Sequence, residues 1–287
     1  MASTIYIAPT GNDTTGTGTT GAPYLTLTKA ITAATAGDTV FCKNGTYDYT
    51  NGYTQFNKNI TVTCEAQSSA IFDCHNTDSS QPITADMTFE NIEYRNFRGS
   101  GNTSNVFGQY ANGIILTLTK VVVRDSAIKA RSGFARGGIV ASNYSIYERS
   151  SGTFILDRCK FFNIEQYLTT ETSSFINVQT GTVTLTNNLF HTKAPAYGNS
   201  AVKSILGGMG GTNCTIKNNI FYNDSGAATP FNTPAIAPIY ENNDAYLVDS
   251  LPSGTNNLTV DPLFVDVNTA NFNLRPMSPL IEAGQIL

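Results

Sequence analysis

The amino-acid sequence predicts an all-β fold, a right-handed parallel β-helix of about eight rungs coiled from one chain and closed at its start by a capping helix. Two observations predict it. A short apolar-polar pattern recurs along the whole chain, and each copy is followed at a fixed distance by a second apolar position. A recurrent unit of this length is typical of solenoids, in which each coil buries its apolar side chains against its neighbours.

The repeat consists of an apolar residue, any residue, a second apolar residue, a polar residue and then usually Asn or Asp. The second apolar residues stand at positions 42, 64, 89, 123, 156, 185, 216 and 240, so successive copies are 22 to 34 residues apart. Apolar alternation with period two indicates strands with one buried face. A second apolar column follows five residues later, at Tyr47, Tyr94, Ile128, Phe161, Phe190 and Phe221, and a third precedes the marker. Three columns predict three parallel sheets around one core.

Asparagine recurs two residues after the marker, at Asn44, Asn91, Asn187, Asn218 and Asn242. Asparagine tolerates left-handed backbone angles and its amide can bond the asparagine one rung away, so the column predicts a turn with a hydrogen-bonded ladder. Substrate contact is the alternative interpretation, but a column this regular favours structure. Ala66, Asp125 and Arg158 interrupt the column.

The chain is predicted to be one β-helix domain, residues 1–287. Residues 1–38 form an N-terminal strand and a capping helix, 39–250 the coils, and 251–287 a C-terminal cap. The helix is expected over residues 23–34, because Tyr24, Leu27, Ile31 and Ala34 share one helical face, Pro23 stands at its start and Gly37 follows its end. Such caps cover the open strand edges and the core.

Motifs at both ends resemble those of pectate-lyase-like β-helix proteins. They are the opening Ile5-Tyr6-Ile7-Ala8-Pro9-Thr10-Gly11, the segments Ala36-Gly37-Asp38-Thr39-Val40 and Asn44-Gly45-Thr46-Tyr47, and, in the tail, Asp261-Pro262-Leu263-Phe264, Asn271-Phe272-Asn273-Leu274 and Ser278-Pro279-Leu280-Ile281-Glu282-Ala283-Gly284. The resemblance implies the fold. That superfamily contains lyases, hydrolases, epimerases, adhesins and phage spikes, so it leaves the activity open.

Composition narrows the classes of function. Charged residues make up 13% of the chain, and the net charge of −4 argues against nucleic-acid binding, which needs clustered Lys and Arg. The sequence contains no stretch of 18 apolar residues, so it predicts no membrane span. The five cysteines show no paired spacing, so we expect free buried thiols, with no metal and no cofactor.

Two groups of residues are candidates for a site. Arg136 and Lys203 lie in the predicted strand column that precedes the marker, and the resemblance to alginate and chondroitin lyases implies that such a pair binds and deprotonates a uronate. Tyr144, Tyr147 and Arg149 lie in an irregular insertion and form a candidate sugar-contacting lip. For both groups a structural role on the wall of the coil is the preferred interpretation. The two histidines, His75 and His191, are also expected to be structural.

The favoured function is a structural or glycan-facing virion protein, namely a phage decoration, fibre or spike (tailspike) subunit assembled in the host cytoplasm. The absence of a recognisable secretory signal, the unpaired cysteines and the low-charge coat motivate it. Its partners would be other virion proteins or cell-surface polysaccharide, and the resemblance to phage spikes implies a homotrimer. The alternatives are a secreted polysaccharide lyase acting on uronate-containing glycans and a non-catalytic surface adhesin.

Overall fold

The computed structural model describes residues 2–50, 54–79, 81–99, 105–109, 111–129, 138–142, 144–145, 148–149, 151–167, 174–178, 180–193, 204–207, 211–224, 238–248, 251 and 253–284. Within these ranges three parallel sheets, A, B and C, surround one hydrophobic core. The chain passes from sheet A to B to C and then returns to A. The predicted parallel β-helix is therefore confirmed, and crossovers between parallel strands make such a coil right-handed.

Strands are numbered in chain order. Sheet A contains β1 (Thr4–Ile7), β2 (Thr39–Cys42), β4 (Ile60–Cys64), β7 (Met87–Glu90), β10 (Ile114–Thr119), β15 (Ser151–Asp157), β18 (Thr180–Thr186), β21 (Gly211–Lys217) and β23 (Ile239–Glu241). Sheet B contains β3 (Gly45–Asp48), β5 (Ala70–Thr77), β8 (Glu93–Phe97), β11 (Val122–Lys129), β16 (Lys160–Tyr167), β19 (Leu189–Lys193), β22 (Ile220–Asp224) and β24 (Asp244–Tyr246). Sheet C contains β6 (Gln81–Ile83), β9 (Asn105–Gln109), β12 (Gly138–Ser142), β17 (Ser174–Asn177) and β20 (Ser204–Gly207).

The inward side chains of sheets A and B form two buried columns. In sheet A, directly paired residues are Val40, Val62, Phe89, Leu118, Leu156, Leu185, Ile216 and Tyr240. In sheet B they are Tyr47, Phe72, Tyr94, Val123, Phe161, Phe190, Phe221 and Ala245. Aromatic rings stack along this second column, with centroids 5.1 Å apart between Phe161 and Phe190 and again between Phe190 and Phe221.

The predicted columns need correction at four positions, Val123, Ile128, Cys42 and Cys64. Val123 lies in sheet B, and the residue that occupies the marker column of sheet A in that coil is Leu118. Ile128 likewise pairs with Gln166 and stands outside the aromatic column. The error arose because both strands of one coil alternate apolar and polar residues, so that the pattern does not distinguish them. Cys42 and Cys64 pair with each other, two residues beyond the column of Val40.

The turn from sheet A to sheet B repeats a left-handed residue. Asn91, Asn187, Asn218 and Asn242 have φ of 64°, 61°, 57° and 54°. The Asn218 amide donates to Asn187 Oδ1 at 3.2 Å, and the Asn187 amide donates to Asp157 Oδ1 at 2.8 Å. Asn44 differs: the positive φ, 138°, falls on Gly45, and the Asn44 amide donates to Glu65 Oε2 at 3.2 Å. Glycine takes this conformation without steric cost, so Asn44 has no need to.

A second asparagine ladder, one residue further along, is buried. Asn188, Asn219 and Asn243 are 2%, 1% and 1% exposed. Each accepts the backbone N–H of the residue at the same turn one coil earlier, from Cys159 at 2.8 Å, Asn188 at 2.9 Å and Asn219 at 3.0 Å. These side chains replace the strand hydrogen bonds that the corner interrupts, because buried backbone groups must be paired.

Helix α1 (Leu27–Ala33) packs Leu27, Ala30 and Ile31 into the core at the start of the coil. It begins four residues after the predicted start, because Thr26 is its N-cap and accepts the backbone N–H of Lys29 at 3.1 Å. None of the helices in the described part of the chain is long and apolar enough to cross a membrane. All five cysteines are free and buried.

The C-terminal segment turns back along the outside of the coil. It forms a small antiparallel hairpin from β25 (Phe264–Asp266) and β26 (Asn271–Leu274). Phe264 and Phe272 of this hairpin contact aromatic rings on the outer face of sheet B. The tail therefore covers the part of that face formed by β16, β19 and β22. A further two-stranded antiparallel hairpin joins β13 (Tyr144–Ser145) and β14 (Glu148–Arg149).

Candidate functional site

The outer face of sheet B carries four charged side chains on successive strands. Asp48, Asp73, Arg95 and Arg124 are direct register partners in β3, β5, β8 and β11. Neighbouring strands are about 4.8 Å apart, so these residues, which we name the charged row, stand at that interval along the coil axis. Within the described part of the chain, the row therefore places two acids next to two arginines at regular spacing.

Each arginine of the charged row is held by a buried acid. Arg95 Nε lies 2.8 Å from Asp73 Oδ2, and the two side chains are 26% and 8% exposed. Arg124 Nε lies 2.7 Å from Glu93 Oε1, which is 6% exposed, and Arg124 Nη1 also contacts Asp125. Both arginines are thereby fixed at Nε, and within the described residues the η nitrogens of Arg95 make no hydrogen bond. The planar guanidinium group is suited to bidentate contact with carboxylates.

Asp73 is an ionised carboxylate with several donors. Burial alone would raise its pKa, but hydrogen bonds from the Asn96 amide, the His75 backbone N–H and Arg95 hold the pKa below the usual value. The Asn96 and His75 donors lie 2.9 and 3.0 Å from Asp73 Oδ1. Because the acid stays charged, it orients Arg95 over the whole range of neutral pH.

Left-handed residues in the strands position these side chains. Asn96, Asp125 and Asn163 have φ of 55°, 50° and 53° on three successive strands of sheet B. The Asn163 amide donates to Asp125 Oδ1 at 2.8 Å. His75, at φ 47°, lies between two acids, with Nε2 3.7 Å from Asp48 Oδ1 and Nδ1 3.8 Å from Asp73 Oδ1. The irregular backbone turns polar groups toward the outer face where a regular strand would continue.

A groove of about 560 Å³ adjoins the Asp48 end of the charged row. It lies between the start of helix α1 and strand β3, and its lining includes the hydroxyl-bearing residues Thr26, Thr28, Thr46 and Thr50 and the carboxylate of Asp48. Thr50 donates its hydroxyl to Asp48 Oδ1 at 2.7 Å. This volume falls in the range of small-molecule sites, and its hydroxyl and carboxylate groups can bond sugar hydroxyls.

Beyond Arg124 the same outer row becomes aromatic. Phe162 pairs with Arg124, and His191 pairs with Tyr222 on the following strands. The C-terminal hairpin covers this part: the Phe272 ring centroid lies 5.2 Å from that of Phe162 and 5.3 Å from that of His191. His191 is 1% exposed, its Nδ1 accepts the Asn163 N–H at 3.1 Å, and burial lowers its pKa to about 4.

Of the five residues in the two predicted candidate groups, the structure describes Tyr144 and Arg149. Arg136, Lys203 and Tyr147 lie outside the described residues, so their assignments stay predictions. Tyr144 and Arg149 are register partners across the β13–β14 hairpin. The described residues include no group of three His, Cys, Asp or Glu side chains placed to hold a metal ion.

Sequence reasoning missed the charged row. Asp73, Arg95 and Arg124 are separated by 22 and 29 residues, and only the register of sheet B brings them together. A signal was present, because each residue immediately follows an inward residue of the aromatic column, Phe72, Tyr94 and Val123. Aligning the repeats on sheet B would have shown the row.

Comparison with known proteins gives a partial family match and distant structural similarity. Residues 9–65 match a family described as a protein of unknown function, DUF1565. Pectate lyase Pel9A is 17% identical with a TM-score of 0.49, and the alignment covers 99% of this chain and 92% of that one. PL6 family alginate lyase AlyGC is 13% identical at 0.46, covering 91% and 37%. Pectin methylesterase PemA from Erwinia chrysanthemi is 12% identical at 0.44, covering 84% and 78%. No curated protein matches the sequence.

The fold rests on the three parallel sheets themselves, since the similar structures are too distant to transfer an activity. The chain has the parallel β-helix architecture that its end motifs led us to expect.

Proposed function

We propose that the protein is a glycan-binding β-helix displayed on a virion, and that the charged row together with the adjoining groove binds the sugar chain. The observation that carries the proposal is the placement of Asp48, Asp73, Arg95 and Arg124 on successive strands of one outer face. Their spacing of about 4.8 Å is close to the length of one sugar residue in an extended chain.

The chemistry of the charged row suits an acidic glycan. Arg95 binds a carboxylate of the sugar through its η nitrogens while Asp73 keeps Nε in place. The Asp48 carboxylate accepts hydrogen bonds from sugar hydroxyls, and the threonine hydroxyls of the groove can donate or accept them. Because the arginines are already oriented by buried acids, little side-chain freedom is lost on binding.

The virion setting is supported by the thiols. Five cysteines are free and buried, which suits a chain that folds in a reducing cytoplasm before it is released. This proposal predicts a homotrimer in solution. Light scattering on a sizing column measures it, and a stable monomer would count against a fibre or spike subunit.

Glycan binding is tested by affinity electrophoresis against acidic and neutral polysaccharides. We expect retardation of the wild-type protein in at least one acidic polysaccharide, and a loss of at least tenfold in affinity for Arg95→Gln. The matched control is Arg158→Gln, because Arg158 is also paired with an aspartate, Asp157, but lies at the turn from sheet A to sheet B and is 54% exposed. Equal loss in both variants would contradict a site on sheet B.

The same samples discriminate the lyase alternative. A lyase releases an unsaturated product with strong ultraviolet absorbance, whereas a binding protein leaves the polymer intact. A time-dependent rise in absorbance that needs Lys203 and Arg136 would replace binding by cleavage as the function.

A further inference from the structure

The part of the sheet B outer face that carries the charged row is short. It begins at Asp48 on the edge strand β3 and reaches Arg124 on β11, which is three steps between four strands. Three steps of about 4.8 Å give a run of roughly 14 Å along the coil axis. A ligand that lies along the charged row therefore has room for about three sugar residues in contact with it.

Helix α1 closes the first end of this run. β3 is the edge strand of sheet B, and the groove beyond it is walled by Leu25 and by Leu27 and Thr28 of α1. Lys58 Nζ donates to the carbonyl oxygens of Ile31, Thr32 and Ala34, which fixes the far end of the same helix. The groove thus lies beside Asp48, between α1 and β3, at the first end of the charged row.

The C-terminal hairpin closes the second end. Phe162 is the register partner of Arg124, and the Phe272 ring lies 5.2 Å from it, so that Phe162 is only 8% exposed. Phe264 lies 5.6 Å from Tyr222 and 5.2 Å from Phe272. The hairpin therefore begins to cover the outer row at the strand next to Arg124.

The row beneath the hairpin has the composition of a sugar-stacking surface. It continues the charged row with Phe162, His191, Tyr222 and Tyr246, one residue per strand. Aromatic faces pack against the apolar faces of pyranose rings, just as they pack here against Phe272 and Phe264. The hairpin rings occupy the positions at which further sugar residues would lie.

Within the described residues no backbone–backbone hydrogen bond joins residues 261–284 to sheet B. The backbone bonds of this segment are internal, for example Arg275 N–H to Leu263 O at 2.9 Å, and the Ser278 hydroxyl donates to Pro262 O at 2.6 Å. Aromatic contacts hold the hairpin to the wall. Substituting one ring thus weakens the cover without breaking a strand ladder.

We infer that the C-terminal hairpin sets the length of the bound glycan, with Phe272 as the residue that limits the site to the short trough between helix α1 and Phe162. This inference rests on the proposed glycan binding. The ligand is a short acidic oligosaccharide or the end of a longer chain, and an internal segment of a continuous polymer does not fit between the two closed ends.

Isothermal titration with oligogalacturonates of two to eight residues tests the inference, with cello-oligosaccharides of the same lengths as the neutral series. In the wild-type protein we expect affinity to rise up to about three or four residues and then to stay constant. In Phe272→Ala, affinity for the longest oligosaccharides should rise at least fivefold, while affinity for two residues stays unchanged. Met277→Ala, a change of an 88% exposed residue in the same tail, is the control and should match wild type.

A double variant tests whether the gain in affinity for long oligosaccharides comes from the exposure of Phe162. If Phe162 is the newly exposed platform, Phe162→Ala in the Phe272→Ala background should remove the gain for long oligosaccharides and leave the short ones unaffected. Affinity that keeps rising with length in the wild type, or a gain that survives the loss of Phe162, overturns the length limit while glycan binding stands. Absence of binding at every length in both series overturns the proposed function and the length limit together.

Discussion

The buried asparagine ladder gives the sharpest stability prediction. Asn219 Oδ1 accepts the backbone N–H of Asn188 at 2.9 Å, and its amide donates to Leu185 O at 3.0 Å and to Lys217 O at 2.9 Å. Asn219→Ala leaves the Asn188 N–H unpaired at a position that is 2% exposed and removes the other bonds. A buried N–H donor left without a partner costs about 1–3 kcal/mol, and each lost hydrogen bond costs about 1 kcal/mol. We therefore expect the free energy of unfolding to fall by roughly 3–5 kcal/mol.

The matched control is the neighbouring Asn218→Gly. Asn218 points outward and has φ of 57°, a conformation that glycine adopts without cost, so its change should stay below about 1 kcal/mol. Urea unfolding followed by circular dichroism measures both variants against wild type. Equal destabilisation by the two substitutions, or a loss below about 1 kcal/mol for Asn219→Ala, would refute the assignment of the buried ladder as the support of the corner.

Three further predictions concern packing and ionisation. Gly181→Ala should destabilise the protein strongly, because an added Cβ would lie 2.1 Å from the carbonyl oxygen of Gly152. Gly113→Ala should destabilise it less in the same urea assay, because no described atom lies within 4 Å of a Cβ added there. Burial, opposed in part by the nearby Asp224, lowers the pKa of His191 from 6.5 to about 4. The stability that the neutral His191 contributes is therefore complete above pH 6.5 and declines as the pH falls toward 4. In His191→Phe, the urea midpoint of unfolding should change less with pH between 6.5 and 4 than it does in the wild type. Burial raises the pKa of Cys159 to about 12, so this thiol should react with a disulfide reagent only on unfolding, and fast labelling in the native protein would contradict its burial.

The sequence alone determined the fold because the coil repeats one local pattern. Phe89, Leu156, Leu185, Ile216 and Tyr240 were identified as equivalent positions, and all five lie in one column of sheet A, with Leu118 between Phe89 and Leu156. An inward residue at every second position of a strand is a local requirement, so it is visible in one copy and reinforced by each repetition.

One assignment failed where the local pattern was ambiguous. Val123 was placed in the wrong sheet because apolar alternation occurs in every strand of a coil, and the coil that contains it carries a second candidate in Leu118. The exposed ladder was predicted, and the Asn218 amide does donate to Asn187, but the buried ladder at Asn188, Asn219 and Asn243 was not predicted. Sequence gives adjacent asparagines no indication of which one faces the core.

Only the tertiary structure decided the site. Arg95 and Asp73 come together because β5 and β8 align in a register that neither strand specifies alone. His191 is buried because a hairpin more than seventy residues later in the chain packs Phe272 onto it. The outer face of a β-helix is free of the packing requirement that fixes its core, so the residue types there change from coil to coil and acquire their neighbours from register and from the path of the tail.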